Sequence, residues 1–147
     1  MTMPIWKRQA TLQQLEAISQ NTAVSHLGIE FVHLGDDHLV ARVPVDARTC
    51  QPMGLLHGGV SVVLAETLGS VGAYLCCGDN EQVVGLEVNA NHLRPVARGW
   101  VTGTAKPLHL GRSTQVWQIE LHDEGAKLVC VARITMAVLK SQDPASP

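Results

Sequence analysis

Gln51-Pro52-Met53-Gly54-Leu55-Leu56-His57-Gly58-Gly59, followed by an apolar run to Cys77 that only Glu66 and a few small residues interrupt, decides how this chain is read. Pro52 and Gly54 mark a turn, and the paired Gly58 and Gly59 let backbone approach a ligand with no Cβ in the way. From 59 to 77 nearly every face is apolar, which places the segment in the middle of the molecule as a helix roughly 28 Å long. The first turn of such a helix carries N–H groups with no partner inside it. The Gly58 and Gly59 amides therefore offer a place for an oxygen that is, or becomes, negative. Glu66 lies two turns further on, with Ser70 at i+4 on the same face. A carboxylate held among apolar side chains is pushed toward its neutral form and serves as a base or nucleophile near neutral pH. The plainer reading, in which Glu66 supports a buried network or meets solvent through a groove, stands level with it on burial statistics. His57 at the head of the helix adds an imidazole, and Gln51 a side-chain amide.

With 147 residues, the chain is expected to form one domain over 1–140, followed by a polar tail over 141–147. Hydrophobic residues make up 46% and charged ones 16%, the balance of a globular protein with its own core. A formal net charge of -2 with scattered basic residues leaves no footprint for nucleic acid. Phe31, Tyr74 and three Trp are too few for base-stacking platforms. The cysteines, Cys50, Cys76, Cys77 and Cys130, form no C-x-x-C spacing and read as reduced, packing thiols of a cytoplasmic protein. Cys50 is imaginable as a nucleophile beside His57, but nothing visible would lower its pKa. His26, His33, His38 and His122 lack metal-ligand spacing, so neither metal nor cofactor is expected. Residues 1–8 lack the apolar core of a secretory signal. The run over 59–77 has the length of a membrane span, but a charge at its middle favours a buried soluble helix.

Along the chain, Thr11 and Gln14 have capping-box spacing ahead of a short amphipathic helix carrying Leu12, Leu15, Ala17 and Ile18. Runs over 28–33 and 38–43 read as a hairpin turned at Gly35, Asp36 and Asp37. After the long helix, strands are expected over 82–92, 99–108, 113–122 and 127–139. In the first of these, Leu86, Val88 and Ala90 alternate with Glu87, Asn89 and Asn91, which implies one covered and one polar face. Four consecutive strands with short turns predict an antiparallel meander wrapped around the apolar helix, an α+β domain.

These motifs carry a resemblance to the hotdog-fold acyl thioesterases, over nearly everything from Ile5 to Leu139. It rests on Ile5-Trp6-Lys7-Arg8, on Gln51-Pro52 through Gly58-Gly59, on Ala65-Glu66, Val84-Gly85, Asn89-Ala90-Asn91-His92, and Pro107-Leu108-His109-Leu110-Gly111. Within the family the chain resembles the branch that proofreads aroyl thioesters in enterobactin synthesis and its relative acting on 1,4-dihydroxy-2-naphthoyl-CoA. The resemblance implies a hotdog fold and hydrolysis of aroyl thioesters of CoA or an aryl carrier protein. Glu66 would be the catalytic carboxylate. His57 and the Gly58 amide would polarise the thioester carbonyl, Gln51 would hold the acyl end or the water, and Ser70 would assist Glu66. It further implies a site at a dimer interface, with dimers pairing into tetramers. The CoA or phosphopantetheine arm is expected along Gly85, along His92, Leu93, Arg94 and Pro95, and along His109, Leu110, Gly111, Arg112, Ser113 and Thr114. From the residues alone, Arg94 and Arg112 suit phosphate because a guanidinium matches its oxygens in a fork, although a solvated strand-end charge is as good a reading.

Two competitors differ in outcome. A dehydratase acting on hydroxyacyl thioesters also pairs a histidine with a carboxylate, and would give an enoyl product without free thiol. An acyl-CoA-binding module would bind without turnover, but a mere binder gains nothing from a buried charge. Gly59-Val60-Ser61-Val62 begins like a serine nucleophile elbow, yet Val63 replaces the closing glycine.

Overall fold

The computed structural model describes residues 3–141. In chain order the elements are α1 (Leu12–Ile18), α2 (Ala23–His26), β1 (Glu30–Leu34), β2 (Leu39–Pro44), α3 (Gly58–Leu75), β3 (Glu81–His92), β4 (Trp100–Leu110), β5 (Thr114–His122) and β6 (Leu128–Lys140). Of the expected tail only Ser141 is described, its N–H donating to Asn80 O at 2.7 Å, and 142–147 lie outside the described residues. The Thr11 capping box forms as expected: Thr11 Oγ1 accepts from Gln14 N–H while the Gln14 side chain accepts from Thr11 N–H.

All six strands join one antiparallel sheet in the order β1-β2-β4-β5-β6-β3. This corrects the four-strand meander. Strands β4, β5 and β6 do form one, but β3 crosses over and pairs with β6, from Glu81 opposite Lys140 to His92 opposite Cys130, leaving β4 to pair with β2. Strands β1 and β3 are therefore the edges.

The sheet curls over one side of α3. Leu64, Ala65, Leu68, Gly69, Gly72 and Ala73 are buried on that side, whereas Gly59, Glu66 and Tyr74 are exposed on the other. A helix apolar all round was expected to be wrapped all round, and within one protomer it is not. Although Gly58–Leu75 has the length and composition of a membrane span, half of it is buried inside the molecule, so it is the core helix.

Close approach of helix to sheet depends on two glycines. A Cβ at Gly69 would collide with Ile134 Cγ2, and one at Gly72 would meet the Trp117 ring at 2.8 Å. Trp117 is fully buried and stacks on Trp6 with centroids 6.1 Å apart. Its indole N–H donates to Gln115 Oε1 at 2.9 Å, and Gln115 Nε2 donates to Ala73 O at 3.4 Å, so the buried polar atoms of the core are paired. At the far end of α3, Leu75 O accepts from the backbone N–H groups of Lys7 and Arg8, and the Arg8 guanidinium donates to the carbonyls of Cys77, Gly78 and Glu81 just beyond the helix. Burial pushes the Cys76 thiol up to about 12, as befits a packing cysteine.

The clean alternation expected of β3 fails at one place. A bulge between Gly85 and Glu87 shifts the register, so Val83, Val88 and Ala90 pack against the core while Leu86 is 61% exposed. With Val84 also exposed, this edge strand presents apolar side chains and unpaired backbone together.

Candidate active site

The residues singled out from the sequence fall in three places along α3. The first is the loop at its start. Thr49 is buried, its Oγ1 donating to Pro44 O at 2.6 Å, and its carbonyl accepts from His57 N–H at 2.8 Å. Leu56 N–H donates to Val96 O at 2.8 Å, tying the loop to the segment after β3. The turn within the loop closes through Gly54, whose φ of 80° is left-handed backbone open to glycine, and Gly54 N–H donates to Gln51 O at 2.9 Å. The Gln51 side-chain oxygen accepts from Met53 N–H.

His57 is the N-cap of α3, and its Nδ1 accepts from Gly59 N–H at 2.8 Å. Of the two amides expected to await an oxyanion, Gly59's is thus taken. Gly58 N–H has no partner among the described residues, and its Cα lies against His92: a Cβ there would sit 3.0 Å from His92 Nε2. Gln51, Gly58, His92, Leu93, Arg94 and Pro95 line one open cleft of about 350 Å³, and no carboxylate is among its lining residues.

The second place is the outward face of α3. Glu66 is exposed in the protomer, in a separate groove of about 370 Å³ walled by Val24, Val63, Thr67, Ser70 and Val71. The carboxylate was expected in oily surroundings; the walls are largely apolar, but the groove is open because the sheet covers only the opposite side of the helix. Ser70 shares the groove, with its hydroxyl 3.9 Å from Met136 Sδ and no bond to Glu66. Gly85 adjoins them, since a Cβ on it would lie 3.4 Å from Glu66 Oε1.

The third place is the turn between β4 and β5. His109, Leu110, Arg112 and Ser113 are exposed there, Gly111 N–H donates to Thr114 O at 2.9 Å, and the neighbouring Gln115 reaches Ala73 near the end of α3. The two segments expected to follow one CoA arm therefore stand by opposite ends of the helix in a single protomer. Sequence reasoning missed Val24, because the four-residue α2 that carries it is too short for a periodic signal. The Thr22 and Ser25 capping pair was the available sign.

Comparison with known proteins bears on what this geometry does. The profile of the thioesterase superfamily matches residues 53–130. The 1,4-dihydroxy-2-naphthoyl-CoA hydrolase of Escherichia coli is 56% identical over 92% of this chain and 99% of its own length. The proofreading thioesterase EntH of Cronobacter turicensis is 53% identical over 92% of this chain and 98% of its own. The crystal structure of a Haemophilus influenzae thioesterase superposes with a TM-score of 0.93 at 51% identity, covering 97% of this chain and 99% of that one.

Proposed function

This chain belongs to the thioesterase superfamily and is a thioester hydrolase; on that premise we propose that it cleaves aroyl thioesters at a site two copies of the chain build together. The observation that carries this is the separation of the two halves. Gly58 and Glu66 are eight residues apart on one helix, about 12 Å along its axis, and each opens into its own cleft. Atoms so far apart cannot hold one carbonyl between them. The uncovered face of α3 and the apolar edge of β3 supply the surface on which a second copy closes the distance. Antiparallel pairing of β3 with its counterpart would set the His92 end of one strand beside the Glu81 end of the other. That brings one copy's His92, Leu93, Arg94 and Pro95 toward the other's β4–β5 turn, and the facing Glu66 between them.

In this site the carbonyl oxygen rests on the Gly58 N–H, with His57 and Gln51 beside it. Glu66 of the other copy either attacks the carbonyl carbon or takes a proton from the water that does. The tetrahedral oxyanion forms where the amide already points, then the C–S bond breaks and the thiolate leaves, taking up the proton that came from water; where Glu66 itself attacked, a water then opens the acyl anhydride, releases the acid and restores the carboxylate. Ser70 lies one turn from the carboxylate in the same groove, where turning its hydroxyl away from Met136 would let it assist Glu66. Gly85 leaves room for the pantetheine arm, while Arg94 and Arg112 meet the phosphates at opposite ends of their segments. Val24, Val63 and Val71 form the apolar bed for the aroyl ring. Dimers pair into tetramers in this reading, and the four thiols suit the reducing cytoplasm.

Proofreading of an aryl carrier protein in siderophore (enterobactin) synthesis is the natural task we put first. Hydrolysis of 1,4-dihydroxy-2-naphthoyl-CoA is the second, favoured by the identity to the Escherichia coli enzyme. Thiol release across aroyl and alkyl thioesters, each on CoA and on an aryl carrier protein, decides between them. Fast release from hydroxybenzoyl carrier protein supports the first, and a kcat/KM maximum at the naphthoyl-CoA ester supports the second. Alkyl esters cleaved faster than every aroyl ester would overturn the aroyl assignment.

A further inference from the structure

Building on the two-copy thioesterase reading, we infer that Tyr74, braced from behind by Arg8, is the end wall of the acyl groove and limits how far an acyl group extends along α3. Helix geometry places it there. Tyr74 lies four residues beyond Ser70 and eight beyond Glu66, so the three side chains follow one another down the outward side, the tyrosine about 12 Å along the axis from the carboxylate. The groove that holds Glu66 reaches Ser70 and Val71. One turn further on is a second hollow of about 320 Å³, lined by Arg8, Gln14, Leu15, Ile18, Tyr74 and Leu75. Tyr74 stands where the first would run into the second.

The ring is exposed and yet held. Tyr74 is the chain's only tyrosine and is 44% exposed. The other aromatic side chains are spent on the fold: Trp6 stacks on Trp117, Trp100 lies under Arg42, and Phe31 is buried. The Arg8 guanidinium covers one face of the tyrosine, with Cζ 4.2 Å from the ring centroid. Arg8 itself is fixed, its Nε donating to Cys77 O at 3.1 Å and its Nη2 to Gly78 O and Glu81 O at 2.9 Å each. A strap across the helix end needs only those carbonyls and would serve any residue at 74. An aromatic ring stacked on the strap turns it into a backstop, with the other face left for a ligand.

The consequence is a choice among acyl groups. A flat aroyl group joined to the carbonyl beside Glu66 fits between that residue and the phenol. A long alkyl chain runs into the ring, which Arg8 keeps from turning away toward the helix end. The hollow beside Ile18 stays closed to substrate while the wall stands. Val24, Val63 and Val71 grip the acyl group from the sides, and Tyr74 sets its length, with Arg8 as the positioning residue behind it.

The test reads selectivity, which loss of folded protein alone does not move. The ratio of kcat/KM for decanoyl-CoA to that for benzoyl-CoA is measured in the parent and in three variants. Tyr74→Ala opens the groove into the hollow beyond, and the ratio is expected to rise by about tenfold or more. Tyr74→Phe keeps the wall and holds the ratio within about twofold of the parent. Arg8→Met removes the brace, so the ratio rises, though by less than in Tyr74→Ala, and the thermal midpoint falls with the lost carbonyl contacts. An unchanged ratio in Tyr74→Ala, or an equal rise in Tyr74→Phe, overturns the wall. A second arm needs no turnover. With one tyrosine in the chain, ring-fluorinated tyrosine gives a single fluorine resonance. It is titrated with the ketone analogue of benzoyl-CoA, in which a methylene separates sulfur from the carbonyl. The wall requires that resonance to shift with the analogue and to stay in place with CoA alone. A resonance that ignores the analogue, in a protein that binds it by calorimetry and cleaves thioesters, sinks the wall alone. A resonance that answers the analogue in a protein that cleaves no thioester sinks the proposed function alone.

Discussion

The two sides of α3 are built from similar amino acids and do opposite work. Toward the sheet, Gly69 meets Ile134 and Ile119, Gly72 meets Trp117, and Leu64 and Leu68 close on Gly103, with no room to spare. Toward solvent, Val63, Val71, Thr67 and Ser70 surround Glu66 in an open groove. Hydrophobicity along the chain does not distinguish a face that packs on its own sheet from one that the sheet leaves open. What separates them is size and charge. The inward side carries glycines where contact is closest, and the outward side carries the carboxylate.

Exchanging the logic of the two sides should break them differently. The largest effect belongs to Glu66→Gln, which removes the acceptor and leaves the groove its shape. Turnover of hydroxybenzoyl-CoA falls between about 100- and 10,000-fold with the thermal midpoint unmoved, because the parent side chain is exposed. Stability loss on this substitution, read by thermal unfolding, would place Glu66 in the structural half. On the inward side, Gly72→Val drives a branched side chain into the Trp117 ring, already within 2.8 Å of a Cβ there. The fold loses about 3 kcal/mol in urea unfolding, and activity falls only in step with the folded fraction.

A third variant addresses the edge beside the outward side. Leu86 is 61% exposed in the protomer, so Leu86→Asp leaves the protomer's stability within about 0.5 kcal/mol. If β3 is where copies meet, the same change raises the dimer dissociation constant by about tenfold or more in sedimentation equilibrium. The last effect is silent at neutral pH and concerns Cys76. Burial holds its thiol neutral to about 12 in the folded chain, against an ordinary thiol value of 9.0. The folded state thus keeps a proton that the unfolded state releases, and stability declines as pH rises from 9.0 toward about 12. Urea midpoints of the parent and of Cys76→Ala should converge over that window.

Much of this fold is written locally. The Thr11 and Gln14 spacing gives α1 its capping box, and Leu39, Ala41 and Val43 alternate into a strand whose inner face is fully buried. Partnering is not local. Nothing in the residues 81–92 says that they will lie beside β6 rather than β4, since alternation sets which way side chains face and not which strand comes next. The bulge at Gly85 was equally silent, although a glycine inside a strand pattern is a known sign of one. For the site, the residue types and the helix start were legible, because free N–H groups at a helix beginning follow from geometry alone. The surroundings of Glu66 were not, since which face of α3 the sheet leaves open is set by tertiary packing and not by the local sequence. Gln51 and His57 were legible as polar groups facing a ligand, but the atoms they keep for their own loop emerge only with coordinates.

Subunit complementation tests the two-copy site most directly. Glu66→Gln chains and Gln51→Glu chains, each almost inactive alone, are unfolded together and refolded as a mixture. Random pairing makes half the dimers mixed, and each mixed dimer holds one site with both an intact 51–59 loop and an intact carboxylate. The account predicts recovery of about a quarter of the parent activity. A mixture no more active than its separate components would contradict it, and would return the 51–59 loop and the carboxylate to a single chain.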